Sequence, residues 1–222
     1  MDFRNAKELL KVCQEQGLSI SAVMLQRELT EGEQDPEETD RKMDRVLEIM
    51  KSAASTPIHT PVKSIGGLIG GEAKKISDHK DTGKGLCGDL LERAVIYAMA
   101  TLETNASMGV IVASPTAGSA GIVPGLLLAL QETYDLSDEQ IKQGLYNASA
   151  IGYLAMRNAT VAGAVGGCQA EVGIASAMAA SATVELMGGS PEQSLAAAST
   201  VLMNMLGLVC DPVGGLVEYP CQ

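Results

Sequence analysis

Three of the five cysteines in this 222-residue chain stand in surroundings suited to metal chemistry. Cys210 and Cys221 bracket the loop CDPVGGLVEYPC, and Cys168 lies in GGCQAE, forty-two residues before Cys210, at a predicted helix start. A helix N-terminus stabilises the thiolate, the form of cysteine that binds metal. The prolines and glycines near Cys210 and Cys221 suit a fixed concave backbone that turns N–H groups toward bound sulfur. Spacing alone does not decide the matter. No C-x-x-C pair is present, so zinc-ribbon and ferredoxin templates both fail, and three buried structural thiols fit the spacing as well as three ligands do.

Other residues with chemical potential lie in glycine-rich stretches. ASPTAGSAG brings Thr116, Ala117, Gly118 and Ser119 together, where backbone N–H groups and hydroxyls can form an anion-binding nest. A tight turn between helices explains the same residues equally well. Lys63 and Ser64 stand beside SIGGLIGG, which is weak as a phosphate-loop signal. Asn158, upstream of Cys168, can orient a ligand or satisfy backbone at a helix break. His59 shares the loop region of Lys63, whereas His79 falls in the charged run SDHKD and reads as solvated.

The elements that must position these residues are helical. The chain is 46% apolar but only 3% aromatic, with no Trp and a single Phe, and it is rich in Ala, Gly and Met. Such a composition predicts an all-α fold with a core of small side chains and closely approaching helices. Residues 1–56, acidic and periodic, are expected to form three amphipathic helices packed on a core made by residues 57–222, the whole forming one structural domain. Asp35-Pro36 supplies a cap and a first-turn proline for the third.

From Ser55 to Gly88 the texture is that of a long structured loop. Helices follow from Asp89 through Glu103 and from about Gly125 to Glu132. Ser137 and Ser190 are expected N-caps, the latter followed by Pro191. The helix carrying Cys168 should begin near Gln169 and stop before Gly188-Gly189, and the last should end near Leu206 or Gly207.

A net charge of −11 opposes binding to nucleic acid and to anionic lipid. The start MDFRNAKELLKV is charged and amphipathic, unlike a secretory signal, so a reducing cytoplasm is the expected location. Two long uncharged stretches, Thr104 to Gln131 and Gln193 to Cys210, carry prolines or several polar residues and read as buried helices, not membrane spans.

Four segments, TPVKSIGGLIGGEAKK, ASPTAGSAGIVPG, MRNATVAGAVGGCQAEVG and GLVCDPVGGLVEYPC, resemble the α subunit of bacterial iron-sulfur L-serine dehydratase, and the likeness covers nearly the whole chain. It implies a [4Fe-4S] cluster on Cys168, Cys210 and Cys221, with Cys13 and Cys87 left to packing. Three protein ligands for four irons leave one iron open to act as a Lewis acid, so L-serine would lose water and then ammonia to give pyruvate without pyridoxal phosphate.

Thr116, Ala117, Gly118 and Ser119 would hold the substrate carboxylate, with Ser64 and Lys63 neutralising it or closing over it, and Asn158 orienting the substrate. The resemblance also implies a β subunit or second domain carrying a Ser-rich motif that is absent here, and a heteromer open to higher assembly. The α-proton base is therefore left unassigned, with Lys63 and His59 as the candidates within this chain. Family α chains usually run well beyond the third cysteine, whereas this sequence stops at Gln222. The alternatives are a lyase like L-cysteine desulfidase, which expels sulfide from cysteine, and a catalytically silent helical subunit that docks a β chain.

Overall fold

The computed structural model describes residues 2–32 and 35–207, together with the backbone of 212–213 and 216–217. It is all-α, as the composition predicts. Ten helices are described: α1 Ala6–Gln16, α2 Ile20–Glu31, α3 Pro36–His59, α4 Glu72–Asp81, α5 Asp89–Ala106, α6 Ile122–Tyr134, α7 Asp138–Asn158, α8 Gly163–Gly166, α9 Cys168–Leu186 and α10 Pro191–Asn204. The one described sheet is a two-residue antiparallel pair, β1 Pro212–Val213 and β2 Leu216–Val217. No described helix is long and apolar enough to cross a membrane.

The chain divides into two compact units. The first contains residues 1–45 and 137–208, and the second contains 46–136 and 209–222. Helix α3 begins in one and ends in the other.

In the first unit α9 packs on α7 and on α10, and α2 packs on α7. Helix α9 buries Ala170, Gly173, Ile174, Ala175, Ala177, Met178, Ala179, Ser181 and Ala182. Alanines and glycines at such density leave no bulky ridge, so neighbouring helices approach on several sides. A second cluster joins Phe3, Leu9, Cys13, Ile20, Val23, Met24, Tyr146 and Ala150, and Phe3 meets Tyr153 edge to face with ring centroids 5.4 Å apart. Burial, with Glu185 and Glu192 nearby, pushes the Cys13 thiol up to about 11, which fits a packing role.

Both expected serine caps form. Ser137 accepts the Gln140 N–H at 3.3 Å while Gln140 accepts the Ser137 N–H at 2.9 Å, and Ser190 and Gln193 repeat the exchange at 3.3 and 2.8 Å. Inside the same unit the Lys142 ammonium is buried and bonds Asp40 at 2.7 Å, Asp44 at 2.8 Å and Glu139 at 2.8 Å. Burial works against its charge, but the hydrogen bonds it donates to these carboxylates outweigh that and hold the ammonium well above the ordinary lysine range.

In the second unit α5 packs on α4 and α6. The α5–α6 crossing depends on Gly125, where a Cβ would lie 2.8 Å from the Ala94 carbonyl oxygen. The stretch from Ser55 to Gly88 differs from the loop expected of it. Helix α3 runs through His59, with Pro57 inside it, and α4 occupies Glu72–Asp81. Helix α4 is strongly polar, with Ala73 as its buried residue, so no apolar stripe announces it.

Candidate active site

The site residues in the second unit are organised by the last turn of α5. Asn105 donates from Nδ2 to the Ala117 carbonyl at 3.3 Å, and the Ala106 carbonyl accepts the Ile65 N–H at 3.2 Å. The loop holding Ser64 and the loop holding Thr116 to Ser119 are thereby fixed to the same end of one helix, although about fifty residues of sequence separate them. A third bond comes from Glu103, whose Oε1 accepts the Ala73 N–H at 2.8 Å.

The Ser64 loop closes on itself. Ser64 N–H donates to the Ile69 carbonyl at 2.9 Å, Gly67 N–H to the Ser64 carbonyl at 2.9 Å, and Ile69 N–H to the Ser64 hydroxyl at 3.4 Å. Its return is made by Gly70 at φ +135°, where a Cβ would sit 2.1 Å from the Val62 carbonyl oxygen, so no other residue fits. The Gly70 N–H goes to the Glu72 carboxylate at 2.6 Å. Burial raises the Glu72 carboxyl, but the N–H groups of Gly70 and of its own residue outweigh that and hold it below the usual range. Ile65, Leu68 and Lys63 are exposed around half-buried Ser64.

In the second loop the Ser114-Pro115 peptide is cis, and Ser114 and Ser119 are buried. Thr116 Oγ1 and Ser119 Oγ lie 3.2 Å apart, and buried Ser119 donates to the Ser114 carbonyl at 3.3 Å. Ser119 thus braces the turn. Among the described residues the N–H groups of Ala117 and Gly118 have no acceptor, whereas Ser119 is buried, 1% exposed. The segment is a tight turn between α5 and α6, one of the two readings that ASPTAGSAG allowed.

His59 is exposed at the end of α3 and lines a cavity of about 630 Å³ with Lys80, Arg93, Tyr97 and Glu132. That cavity uses the early part of α5. Arg93 and Glu103 are separated by ten residues, roughly 15 Å along the helix. Its polar groups are engaged with one another, since Lys80 and Arg93 both hold Asp89 at 2.6 Å, and Arg93 and Tyr97 both reach Glu132. Burial and Glu132 push the Tyr97 hydroxyl up to about 12.

In the first unit Asn158 is the last residue of α7, and its Nδ2 donates to the carbonyls of Arg4 at 2.8 Å and Leu154 at 2.9 Å. Both amide hydrogens are thus committed to backbone at a helix end. Cys168 is the first residue of the nineteen-residue α9, half-buried, and follows Gly167 at φ +71°. Cys210 and Cys221 lie outside the described residues.

One feature at Cys168 suits a metal ligand: the helix terminus favours a thiolate. Next to it, Gln169 accepts the Gly207 N–H at 3.0 Å, which ties the turn after α10 to the first turn of α9. Among the described residues alone, no three of His, Cys, Asp and Glu gather as a metal set. Cys87, expected in packing, is instead exposed in the loop before α5, its N–H on Glu92 at 3.3 Å.

Sequence reasoning missed Glu103, Asn105 and Gln169. Each sits inside or at the edge of a helix and acts on a residue distant in sequence, so no local motif marks it.

The serine dehydratase alpha chain family matches residues 15–222. The chain is 49% identical over 219 residues to a probable L-serine dehydratase alpha chain of Bacillus subtilis, covering 99% of this chain and 73% of that one. It is 44% identical to the L-serine dehydratase alpha chain of Peptoniphilus asaccharolyticus, covering 99% and 75%. To an L-serine dehydratase of Streptomyces coelicolor it is 39% identical over 225 residues, covering 99% of this chain and 48% of that protein.

Proposed function

The chain belongs to the serine dehydratase alpha chain family, and from that premise we propose that it is the α subunit of a lyase that converts L-serine to pyruvate and ammonium with a [4Fe-4S] cluster held by Cys168, Cys210 and Cys221. The observation that carries the assignment of substrate contacts is the convergence of two loops on the last turn of α5.

Elimination removes the Cα proton and expels the β-hydroxyl as water, leaving 2-aminoacrylate. Its imine tautomer takes up one water and releases pyruvate and ammonium. When bound, the cluster supplies a Lewis acid at an open iron to weaken the Cβ–O bond.

The chain's own residues bind and orient the substrate. The N–H groups of Ala117 and Gly118 are assigned to the carboxylate, and the hydroxyls of Thr116 and Ser119, 3.2 Å apart, keep that turn in shape. Ser64 accepts from Ile69 within its own loop and retains its hydroxyl proton for the same carboxylate, with Lys63 adding positive charge beside it. Fixing the carboxylate at one end of serine sets the direction of its Cβ–O bond, which is the orientation that elimination needs. Asn158, spent on Arg4 and Leu154, holds the chain that leads from α7 toward Cys168.

The base is left unassigned, with Lys63 and His59 as the candidates within this chain, and His59 lines the cavity beside Arg93 at the early part of α5. A separate β chain, in keeping with the alpha-chain names of the relatives, is proposed to complete the enzyme.

The test is anaerobic reconstitution with iron and sulfide, followed by a pyruvate assay on L-serine with the β chain present. The expected result is a broad visible absorbance, bleached by air, and pyruvate release that both vanish in Cys168→Ala. Iron binding that Cys168→Ala leaves intact would overturn the ligand assignment, and sulfide release from L-cysteine exceeding pyruvate release from L-serine would overturn the substrate.

A further inference from the structure

We infer that Glu103 is a positioning residue for serine binding, holding the Ser64 loop in its working shape by capping the start of α4 from the last turn of α5. The inference rests on the proposed role of Ser64 and adds a residue that none of the shared motifs contains.

Helix α4 has no side-chain cap at its N-cap position. Its N-cap is Gly71, at φ +91°, which has no side chain to offer the first N–H groups. Glu103 fills that role from thirty residues away through the 2.8 Å bond from the Ala73 N–H. Three residues later on α5 the Ala106 carbonyl takes the Ile65 N–H. The segment from Ile65 to Ala73 is therefore tied at both ends to a single helical turn, and Ser64 sits at the edge of that clamp. Between the two ties the backbone at Gly70 admits no side chain, so that position cannot supply a substitute acceptor.

The burial of Glu103 points the same way. The residue is 1% exposed, and its Oε2 has no partner among the described residues. Its side chain lies against the Glu72 carboxyl, and a buried polar atom left without a hydrogen bond carries a desolvation cost. Glu72 has its carboxyl beside Glu103, and an amide in place of the Glu103 carboxyl would offer it a donor.

The test uses the reconstituted enzyme with its β chain and compares Glu103→Ala, Glu103→Gln and Ser64→Ala. Two readouts are taken: trypsin cleavage after exposed Lys63 and the KM and kcat for L-serine. Glu103→Ala is expected to speed cleavage at Lys63 about tenfold and to raise KM about tenfold with kcat changed much less, while Glu103→Gln, which keeps the acceptor, restores both to within about twofold.

Unchanged cleavage at Lys63 in Glu103→Ala overturns the inference. So does faster cleavage with KM unaltered while Ser64→Ala raises KM, an outcome that leaves the proposed substrate site standing. If Ser64→Ala leaves KM unaltered, the reading of Ser64 as a substrate contact fails and the inference falls with it. Should Glu103→Ala fail to fold, Glu103→Gln decides: a KM raised as far as in Ser64→Ala contradicts the acceptor role, and a KM near wild type upholds it.

Discussion

Glu185 and Glu103 do the same structural job in the two units, and they differ in how completely their bonds are satisfied. Each projects from the last turn of one helix onto the first N–H groups of another. Glu185, on α9, accepts the N–H groups of Ile20 and Ser21 at 3.0 and 3.3 Å and the Asn147 amide at 2.7 Å. Helix α2 has its own cap as well, since Ser19 accepts the Ala22 N–H.

Glu103, on α5, accepts a single N–H at the start of α4, which has a glycine for its N-cap, and one oxygen is left unpartnered. The first junction is redundant and belongs to scaffold. The second carries one bond where several are possible, and what it fixes is a loop with a proposed substrate contact.

The contrast can be broken at the loop first. Gly70→Ala forces a methyl into the Val62 carbonyl at a φ that L-residues avoid, so turnover of L-serine should fall by about a hundredfold. Measured by pyruvate release, that loss should exceed the effect on thermal stability, because α5, α6 and their packing do not contain the residue.

Glu185→Ala should do the reverse. Losing its bonds should cost about 2–3 kcal/mol, lowering Tm by roughly 5–10 °C in a scanning calorimeter, with KM for L-serine unmoved. The loss is bounded because Ser19 still caps α2.

The smallest effect is expected at Lys142, another scaffold contact of the first unit. Lys142→Met should cost about 1–2 kcal/mol, since the three carboxylates it leaves are solvent-exposed. The pH dependence has a definite sign. The ammonium is held above its ordinary value of 10.5, so its stabilisation is present in full below that pH and is lost only as the solution becomes more alkaline. The Tm difference between wild type and Lys142→Met should thus stay level from neutral pH to about pH 9.

The same contrast explains what the sequence could disclose. Ser137, Ser190 and Pro191 act on neighbours within a few residues, so their caps were legible, as was the start of α9 at Cys168. Helix α4 was not, because its cap comes from Glu103 and its faces are polar nearly all round. The turn at Ala117 to Ser119 was visible as a composition, but only the fold shows that Ser119 is buried and bonded to the Ser114 carbonyl. Asn158 and Cys87 needed the fold as well: one finds its partners 4 and 154 residues away, and the other lies open to solvent in a loop that glycine alone does not locate.

The central claim, that two loops on the last turn of α5 receive the substrate, is tested most directly by amide hydrogen exchange on the assembled enzyme with and without saturating L-alanine. This ligand keeps the carboxylate and ammonium of serine but has no β-hydroxyl to lose. Slower exchange confined to residues 61–71 and 112–121, with α1 and α2 unchanged, is the predicted result. Protection absent from both loops while L-alanine inhibits pyruvate formation would contradict it.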